Sequence, residues 1–494
     1  MAAEDKFETQ SADPKVSDTN KYTKITNVNK YTFLDDAYYG SGGFRDGTYL
    51  IPHTREMFYK DRRQLASYKN YIRPIVRALI EPVFTETAPR VVTDSEGEER
   101  DNLLVNTFIE DVDNDKTHIQ DFSEDVITKA RRHGVTFVVV DNFPEEEQPP
   151  TTAAAIEGRI MPYVISKTGN EVETYKVDEF GRLTEIMFAE PSVVVSGQKE
   201  RRARQWTAEY SVMMKMLQTG GGAVRTTGVS TNKWVEAGPR VYHNLGEIPV
   251  ISVYAIKRKK KSEILVDPPL YDVARLNAVI FNKDSEIRDN ERAQAFSNLF
   301  VQSDQSGNFT VGPHNVILVP MDATIAPGFA SPNPGILAGL VENNEKNRAD
   351  LFRMAEQMGV YAVETSKAES GVALAWKFFG QEAQLKKTAR LATDLEHSIM
   401  TLFKLYTQEE FEYVVDYPFD YQPGDRLREV TIYKEIVNLN PPDKMRKKIF
   451  EKIARIMFVD EEAEVLQEII EDIHAEKTPQ TIKTETEEPE PGEE

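Results

Sequence analysis

The chain has 494 residues and a formal net charge of −21, from 81 Asp and Glu against 60 Lys and Arg. This sign disfavours a surface that clamps nucleic acid, because duplex affinity comes mainly from cations that neutralise phosphates. The absence of cysteine excludes disulfides, thiolate metal sites and cysteine nucleophiles. No apolar run approaches the ~20 residues that cross a bilayer, and the amino terminus lacks the order of a signal peptide, so we expect a soluble protein that contacts no membrane.

The first third of the chain begins with a polar segment and continues with helical patterns. Residues 1–24 lack periodicity and are predicted to form a disordered arm, whereas the aromatic and glycine-rich stretch 34–52 predicts a flexible loop. Helical periodicity then recurs over residues 54–84, 102–110 and 117–133. Pro74 and Pro82 predict a kink in the first of these helices.

Strand patterns dominate the next part of the chain. Gly134 ends a predicted helix and the β-branched run 135–141 predicts a strand, which together form an α/β unit. PYVIS, EVETYKV and LTEIMFAE alternate in polarity and predict antiparallel strands, with EFGR as a hairpin turn. Residues 201–217 and WVEAGPRVYHNLGEIPVISVYAI predict further strands, the last two paired with each other. The basic run 257–261 is interpreted as a solvated loop.

Two charged helical patterns lie between residues 268 and 359. In the first, Leu270, Val273, Leu276, Ile280 and Ile287 form a narrow apolar stripe among many charges. The second begins after Pro334 and has a similar composition. Such helices lie on a surface, or pack side by side through charge pairs, and the pattern alone leaves both interpretations open.

The remaining sequence is helical and ends with a concentration of acidic residues. A long periodic segment, 372–406, is followed by helical stretches at 425–437, 443–458 and 461–477. Residues 459–494 hold 14 Asp and Glu against 2 Lys. We expect the end of this acidic segment to be disordered.

Motifs for catalysis are weak. The sequence has no G-x-x-x-x-G-K-[ST] phosphate loop and no H-x-x-x-H pair, so the seven histidines are interpreted as structural. The pairs Asp35–Asp36 and Asp111–Asp113 would suit Mg²⁺, but 81 acidic residues produce such pairs by chance. We therefore expect neither a cofactor nor a metal, and no enzymatic activity.

The order of elements from Ile248 resembles the portal, or head-to-tail connector, proteins of tailed double-stranded-DNA bacteriophages. The resemblance lies in IPVISVYAI, the helix LYDVARLNAVIFNKDSEIRDNERAQAF, the strands NLFVQS and NVILVP, the helix LAGLVENNEKNRADLFRMAEQMGV, and ESGVALAWKFF at the start of a long helix. It covers residues 248–406 well and the rest in outline. Ala375 and Trp376 stand where relatives often carry a charged residue.

The resemblance implies an α+β fold with wing, stem, clip and crown regions. The implied regions are a disordered arm (1–24), an α/β wing (25–266), stem helix 1 (267–297), a clip (298–334), stem helix 2 (335–359), a tunnel loop (360–371), a long wing helix and connector (372–424), a helical crown (425–478) and a disordered acidic tail (479–494).

The resemblance also implies functional residues in three of these regions. The implied stem residues are Lys283, Glu286, Arg288, Glu291, Arg292, Glu345, Lys346, Arg348 and Arg353. The implied docking residues of the clip are Asn298, Phe300, Gln302, Asn315, Ile317 and Val319. The implied channel residues are Thr365, Ser366, Lys367, Ala368, Glu369, Ser370 and Gly371. Lys367 and Lys377 are candidates for weak phosphate contacts, or are simply solvated.

The function implied by the resemblance is a DNA conduit at one capsid vertex. Such a protein forms a ring, usually of twelve subunits, that serves head assembly, genome packaging, DNA retention and ejection, and tail attachment. Its implied partners are double-stranded DNA, the terminase large subunit, a head-tail adaptor, and the major capsid and scaffolding proteins. It would be assembled in the host bacterial cytoplasm and reside in the virion. The alternatives are a minor head protein or adaptor, or a metal-dependent nucleic-acid-processing enzyme.

Overall fold

The computed structural model describes most of the chain between residues 28 and 457. The described residues are 28–302 apart from 55, 57–58, 95–97, 99–101, 145–150, 196–197, 218–232 and 296–297, together with 316–319, 321, 328–330, 334–355, 371–418, 421, 433, 437, 442–457, 469–470 and 473. The chain divides into two compact units, Met1–Tyr421 and Gln422–Glu494.

Helices and strands are mixed along the chain, and the fold is α+β as expected. The helices are α1 (Lys30–Tyr39), α2 (Gly42–Arg45), α3 (Tyr59–Leu65), α4 (Ile72–Arg77), α5 (Glu81–Phe84), α6 (Leu103–Glu110), α7 (Ile119–His133), α8 (Thr152–Gly158), α9 (Tyr271–Ala295), α10 (Pro334–Met354), α11 (Gly371–Thr407) and α12 (Asp443–Met457). The strands are β1 (Arg90–Thr93), β2 (Val135–Asp141), β3 (Tyr163–Thr168), β4 (Val172–Val177), β5 (Leu183–Val195), β6 (Gln198–Trp206), β7 (Tyr210–Leu217), β8 (Lys233–Tyr242), β9 (Val250–Tyr254), β10 (Asn298–Gln302), β11 (Val316–Val319), β12 (Gly328–Ala330) and β13 (Glu412–Val415).

The centre of the first unit is the buried strand β2. It pairs antiparallel with β3 on one side and β9 on the other, and all seven of its residues are buried. Val138 and Val140 face the main core, which includes residues of α7 and α11, whereas Phe137 and Val139 face a second core that includes Phe188. Because both faces of β2 are covered, its sequence is almost continuously apolar rather than alternating.

A five-stranded antiparallel sheet in the order β4-β5-β6-β7-β8 packs against that second core. The predicted EFGR turn joins β4 to β5. Asp178 fixes this turn, because its carboxylate accepts hydrogen bonds from the backbone N–H groups of Phe180 and Arg182 at 2.9 and 2.7 Å. The predicted strands β8 and β9 exist but do not pair with each other, since β8 pairs with β7 and β9 with β2.

The interpretation of residues 34–52 as a flexible loop was wrong. The stretch forms the end of α1 and the short α2, and Leu34, Phe44 and Tyr49 are buried in the main core. Its glycines serve close packing: Gly40 ends α1 in the left-handed conformation, and a Cβ on Gly43 would overlap the Tyr49 ring.

The kinked helix predicted over residues 54–84 is not continuous, and Pro74 and Pro82 lie in the first turns of two separate helices. Three short helices, α3, α4 and α5, occupy this region instead. By contrast, α6, α7 and the long helix α11 lie within two residues of their predicted bounds.

The second unit contains α12, which matches the helix predicted over 443–458. Ile449 and Ala454 are buried on one side of it. The helix predicted over 461–477 lies largely outside the described residues, as does most of the one at 425–437. The predicted amino-terminal arm and the acidic tail lie entirely outside them.

Candidate functional site

Helices α9 and α10 form an antiparallel arm with a small sheet at one end. The amino-terminal half of α9 is buried in the main core, and α10 enters the same core through Leu351 and Phe352, near its carboxyl end. Since the two helices contact each other and join the core at opposite ends of their sequences, they run antiparallel. The strands β10, β11 and β12, which come between the two helices in the sequence, therefore lie at the end of the arm that is distant from the core.

A buried carboxylate fastens the two helices together. Asp284 of α9 accepts a hydrogen bond from the Asn344 side chain at 2.7 Å and lies 3.0 Å from an Arg348 guanidinium nitrogen, both on α10. Lys69 adds an ion pair to the other carboxylate oxygen at 3.1 Å. The Asp284 side chain is 8% exposed, so these partners replace the water it loses on folding.

A second polar cluster fastens α9 to the segment before it. The buried Arg62 guanidinium of α3 donates to the Ser285 hydroxyl of α9 at 2.8 Å and to the Ile51 carbonyl at 2.8 Å, and it is paired with Glu56. Burial, the largest single influence, lowers the pKa of Arg62, but the hydrogen bond to Glu56 and the negative charges of Glu56 and Glu286 together outweigh it, so the pKa of Arg62 is raised. Asn282 extends the contact by accepting a hydrogen bond from the Ile51 N–H at 2.7 Å.

The expectation of a thin apolar stripe on α9 was therefore incomplete. Its buried face also carries polar residues, and each of them has a hydrogen-bond partner on another segment of the chain. For example, the Asn277 side-chain amide donates to the Tyr68 hydroxyl at 2.5 Å. The sequence contained a signal for them. Asn277 and Asp284 continue the three- and four-residue spacing of Val273, Ile280 and Ile287, so they occupy positions of the apolar stripe.

The small sheet has the order β11-β10-β12. Strand β10 pairs parallel with β11 and antiparallel with β12. This confirms strands at NLFVQS and NVILVP and adds β12, which the sequence did not predict. Phe329 of β12 is 71% exposed and Met321 is 59% exposed.

The exposed charges of the arm pair mainly along their own helix. Lys346 pairs with Glu342 at 2.8 Å, Arg348 with Glu345, and Arg353 with Asp350. These pairs lie at helical spacings of three or four residues and are weak, because solvent screens them.

The other predicted stem residues lie on α9. Lys283 contacts the Asn343 side chain of α10, and Arg288 donates to the Leu65 carbonyl at 3.3 Å. Glu286, Glu291 and Arg292 are exposed.

The predicted channel residues remain largely untested. Thr365, Ser366, Lys367, Ala368, Glu369 and Ser370 lie outside the described residues, and Gly371 is the first residue of α11. Lys377 lies within α11, but its side chain is outside the described part. Of the predicted clip residues, Asn315 is outside the described residues, whereas Asn298, Phe300 and Gln302 lie in β10 and Ile317 and Val319 in β11.

A buried carboxylate also anchors the long helix that follows the predicted channel loop. Glu396 of α11 is fully buried and accepts hydrogen bonds from Arg90 of β1 at 2.9 and 3.1 Å. The hydroxyls of Tyr413, on β13, and Tyr417 donate to the same carboxylate. Burial raises the pKa of both tyrosines, and the Glu396 charge raises it further, so they stay protonated as donors. This cluster, named here the Glu396 clamp, fixes α11 to the β1–β13 pair.

The acidic pairs considered as Mg²⁺ sites are occupied by protein groups. Asp35 contacts Arg132 and His133 at 2.9 Å, and Asp111 contacts Arg159 at 3.2 Å. Within the described part of the chain, no group of three or more His, Asp or Glu is arranged to hold a metal ion. Nor does any helix there combine the length and apolarity needed to span a bilayer.

The basic run 257–261 lies in an exposed loop, as predicted. Arg258 donates to the Gly181 carbonyl at 2.8 Å, and Lys260 pairs with Glu263 at 2.8 Å. Its cations are thus partly engaged within the chain.

Comparisons with known proteins give distant structural likenesses only. The sequence matches no protein-family model and no curated protein sequence. A chain in a structure titled "Virion of native gene transfer agent (GTA) particle" is 11% identical, with 88% of this chain and 97% of that chain covered and a TM-score of 0.43. A chain in "Neck of empty GTA particle computed with C6 symmetry" is 11% identical, with 74% and 84% covered and a TM-score of 0.38.

Proposed function

We propose that this chain is the subunit of a portal-type ring through which double-stranded DNA passes at one vertex of a virus-like capsid. The observation that carries the proposal is the antiparallel arm of α9 and α10, which ends in a three-stranded sheet and is fastened to an α/β body by buried polar clusters. In such a ring the arms stand side by side around the channel, and the small sheets form one docking rim.

The surface of the arm supports side-by-side packing of copies. Ile336 is 60% exposed and Val341 is 41% exposed, both on α10. A single chain leaves these aliphatic side chains in water, whereas a neighbouring arm would bury them. The charges that flank them are largely neutralised within the same helix, so two copies can approach without strong repulsion.

The charge of the chain suits a conduit rather than a clamp. Twelve copies at −21 each carry a formal charge of about −250. A wall of this sign repels phosphates and lets DNA slide without prolonged contact. In this proposal Thr365–Gly371 gates the channel, and Lys367 makes transient phosphate contacts.

The proposed partners are those that the resemblance to portal proteins implies, assigned to one region each. The small sheet docks the terminase large subunit during packaging and the head-tail adaptor afterwards, while the body contacts the major capsid and scaffolding proteins. The protein acts without bond chemistry, in the virion.

Negative-stain electron microscopy and native mass spectrometry test the assembly. The expected particle is a ring with a central hole, and a monomer or dimer without one contradicts the proposal. Ile336→Asp is expected to weaken the ring, because it places a charge in the arm-to-arm contact. The matched control is Leu103→Asp, at a residue that is 65% exposed on α6 and outside the arm. Equal loss of rings in both variants would rule out the arm as the contact surface.

A further inference from the structure

A cleft of about 270 Å³ lies in the first unit, where the carboxyl ends of β2 and α11 meet the five-stranded sheet. It is lined by residues 141–144 at the end of β2, Ser211 of β7, residues 241–245 at the end of β8, and Leu405, Tyr406 and Gln408 at the end of α11. This space is named here the Asp141 cleft. Tyr242 is 56% exposed and Leu405 is 42% exposed, so the cleft opens to solvent beside them.

The Asp141 carboxylate contributes a negative charge to the wall of the cleft. Its side chain is 10% exposed. One carboxylate oxygen accepts a hydrogen bond from the Asn142 N–H at 2.9 Å, and the other lies 3.1 Å from the Tyr163 hydroxyl and 3.5 Å from an Arg204 guanidinium nitrogen. Burial, the largest influence, raises the pKa of Asp141, although all three of these partners lower it. The carboxylate is therefore stabilised less well here than in water, and a further cation beside it would be favourable.

The end of α11 adds negative potential to the same space. An α-helix leaves its last carbonyls without intrahelical donors, and its carboxyl end carries a partial negative charge. Helix α11 ends beside the cleft after 37 residues, where Gln408 takes the left-handed conformation with φ 56° and its N–H donates to the Lys404 carbonyl at 2.9 Å. The Lys404 ammonium is paired with Glu410 at 3.0 Å. The helix end and Asp141 therefore both favour a positive charge in the cleft.

The rest of the lining selects the kind of cation. The cleft is bordered by the aromatic residues Phe143, Tyr242 and Tyr406, and by the aliphatic residues Val241, Leu245 and Leu405. Aromatic faces attract an ammonium group, and aliphatic side chains suit an alkyl chain. A metal ion would need several oxygen ligands within about 2.6 Å, and in the described part of the chain no three His, Asp or Glu residues are grouped to hold one. The lining and the size of the cleft therefore suit an organic cation.

We propose that the Asp141 cleft binds a protonated primary alkylamine. The ammonium group lies between the Asp141 carboxylate and the end of α11, and the alkyl chain lies against the aliphatic residues. Such a group belongs either to a free diamine or to a lysine side chain of another protein. This site is additional to the proposed portal function and does not depend on ring assembly.

Isothermal titration calorimetry of the full-length protein tests the recognition with three probes. These are 1,4-diaminobutane, Nα-acetyl-lysine methylamide, which presents a lysine side chain without free termini, and 1,4-butanediol, which has the same carbon chain as the diamine without charge. We expect at least one amine to bind with a Kd below about 1 mM, and the diol to bind at least about tenfold more weakly. Tighter binding of the diamine indicates a free amine as the ligand, and tighter binding of the lysine derivative indicates a side chain of another protein. Equal affinity for the diol, or no binding of either amine up to about 10 mM, would overturn the proposal.

Three variants place the binding in the cleft. Asp141→Asn should weaken amine binding at least about tenfold, because it removes a charged hydrogen-bond acceptor and keeps the shape of the side chain. Leu405→Lys should abolish binding, because it brings an ammonium group of the chain itself to the cleft. Val414→Lys is the matched control, since Val414 is 54% exposed on β13 and does not line the cleft, and its affinity should equal that of the native protein.

Thermal unfolding shows whether each variant is folded. If Asp141→Asn is unfolded, the comparison between Leu405→Lys and Val414→Lys still decides the matter. Equal amine affinity in these two variants would exclude the cleft as the binding site.

Discussion

Replacing Asp284 with Asn is expected to loosen the arm by about 2–3 kcal/mol while preserving its shape. The carboxylate is 8% exposed and lies 3.0 Å from Arg348, which is itself 19% exposed. A hydrogen bond between charged groups at such a site contributes about 1.5–3 kcal/mol. Lys69 is 46% exposed, so its ion pair adds only about 0.5 kcal/mol after screening. The Asn344 contact is retained in part, because the amide oxygen of the new side chain still accepts.

Hydrogen exchange of the α10 amides measures this change locally. A loss of 2–3 kcal/mol corresponds to exchange that is roughly 30- to 150-fold faster over residues 334–354. Asp289→Asn is the matched control, since Asp289 is exposed on the same helix, and its effect should stay below about 0.5 kcal/mol. Equal exchange rates in the two variants would refute the view that Asp284 fastens α10 to α9.

Three further predictions concern the body. Glu396→Gln leaves the buried Arg90 charge uncompensated, so the free energy that protects the α11 amides from hydrogen exchange should fall by about 3–5 kcal/mol. In the double variant with Arg90→Gln, this free energy should fall by less than the sum of the two single losses. His118 caps α7 as a hydrogen-bond acceptor, and burial together with the Arg90 charge lowers its pKa. The native protein should therefore lose up to about 1 kcal/mol relative to His118→Asn as the pH falls below ~6.5, measured by thermal unfolding between pH 8 and 5. Gly134→Ala should lower the free energy of unfolding by about 1–3 kcal/mol and the unfolding temperature by several degrees. The reason is that φ at Gly134 is +88° and the new Cβ would lie 2.7 Å from a methyl group of Val266. An unchanged melting curve would contradict this prediction.

Local periodicity predicted the regular elements well. The helices α7, α9 and α11 and the strands of the five-stranded sheet follow repeats of 3.6 or 2 residues that are visible in the sequence. Strand partners were harder to predict, because β9 pairs with β2, more than 100 residues earlier, and no local signal specifies that partner.

Buried polar residues were the main gap in the prediction of the site. Asp284 and Glu396 resemble exposed helix charges in the sequence. Their ion-pair partners, Arg348 and Arg90, lie far from them in the same chain, and only the folded structure shows that both carboxylates are buried. Composition likewise suggested flexibility for residues 34–52, although their glycines permit close aromatic packing. The predicted channel loop at 365–371 is a proposal still.

The Glu396 clamp is one of several contacts that hold α11 against the body. Gln381 donates to the Ala78 carbonyl at 3.2 Å, and Arg131 donates to the side chains of Gln384 and Thr388 at 2.8 and 2.7 Å, so the helix is already fixed about 15 residues before Glu396. Residues 371–380 come before these contacts and span about 15 Å at 1.5 Å per residue. A displacement of Gly371 therefore has to come from bending within these ten residues, because a rotation of the whole helix would break buried contacts along its length.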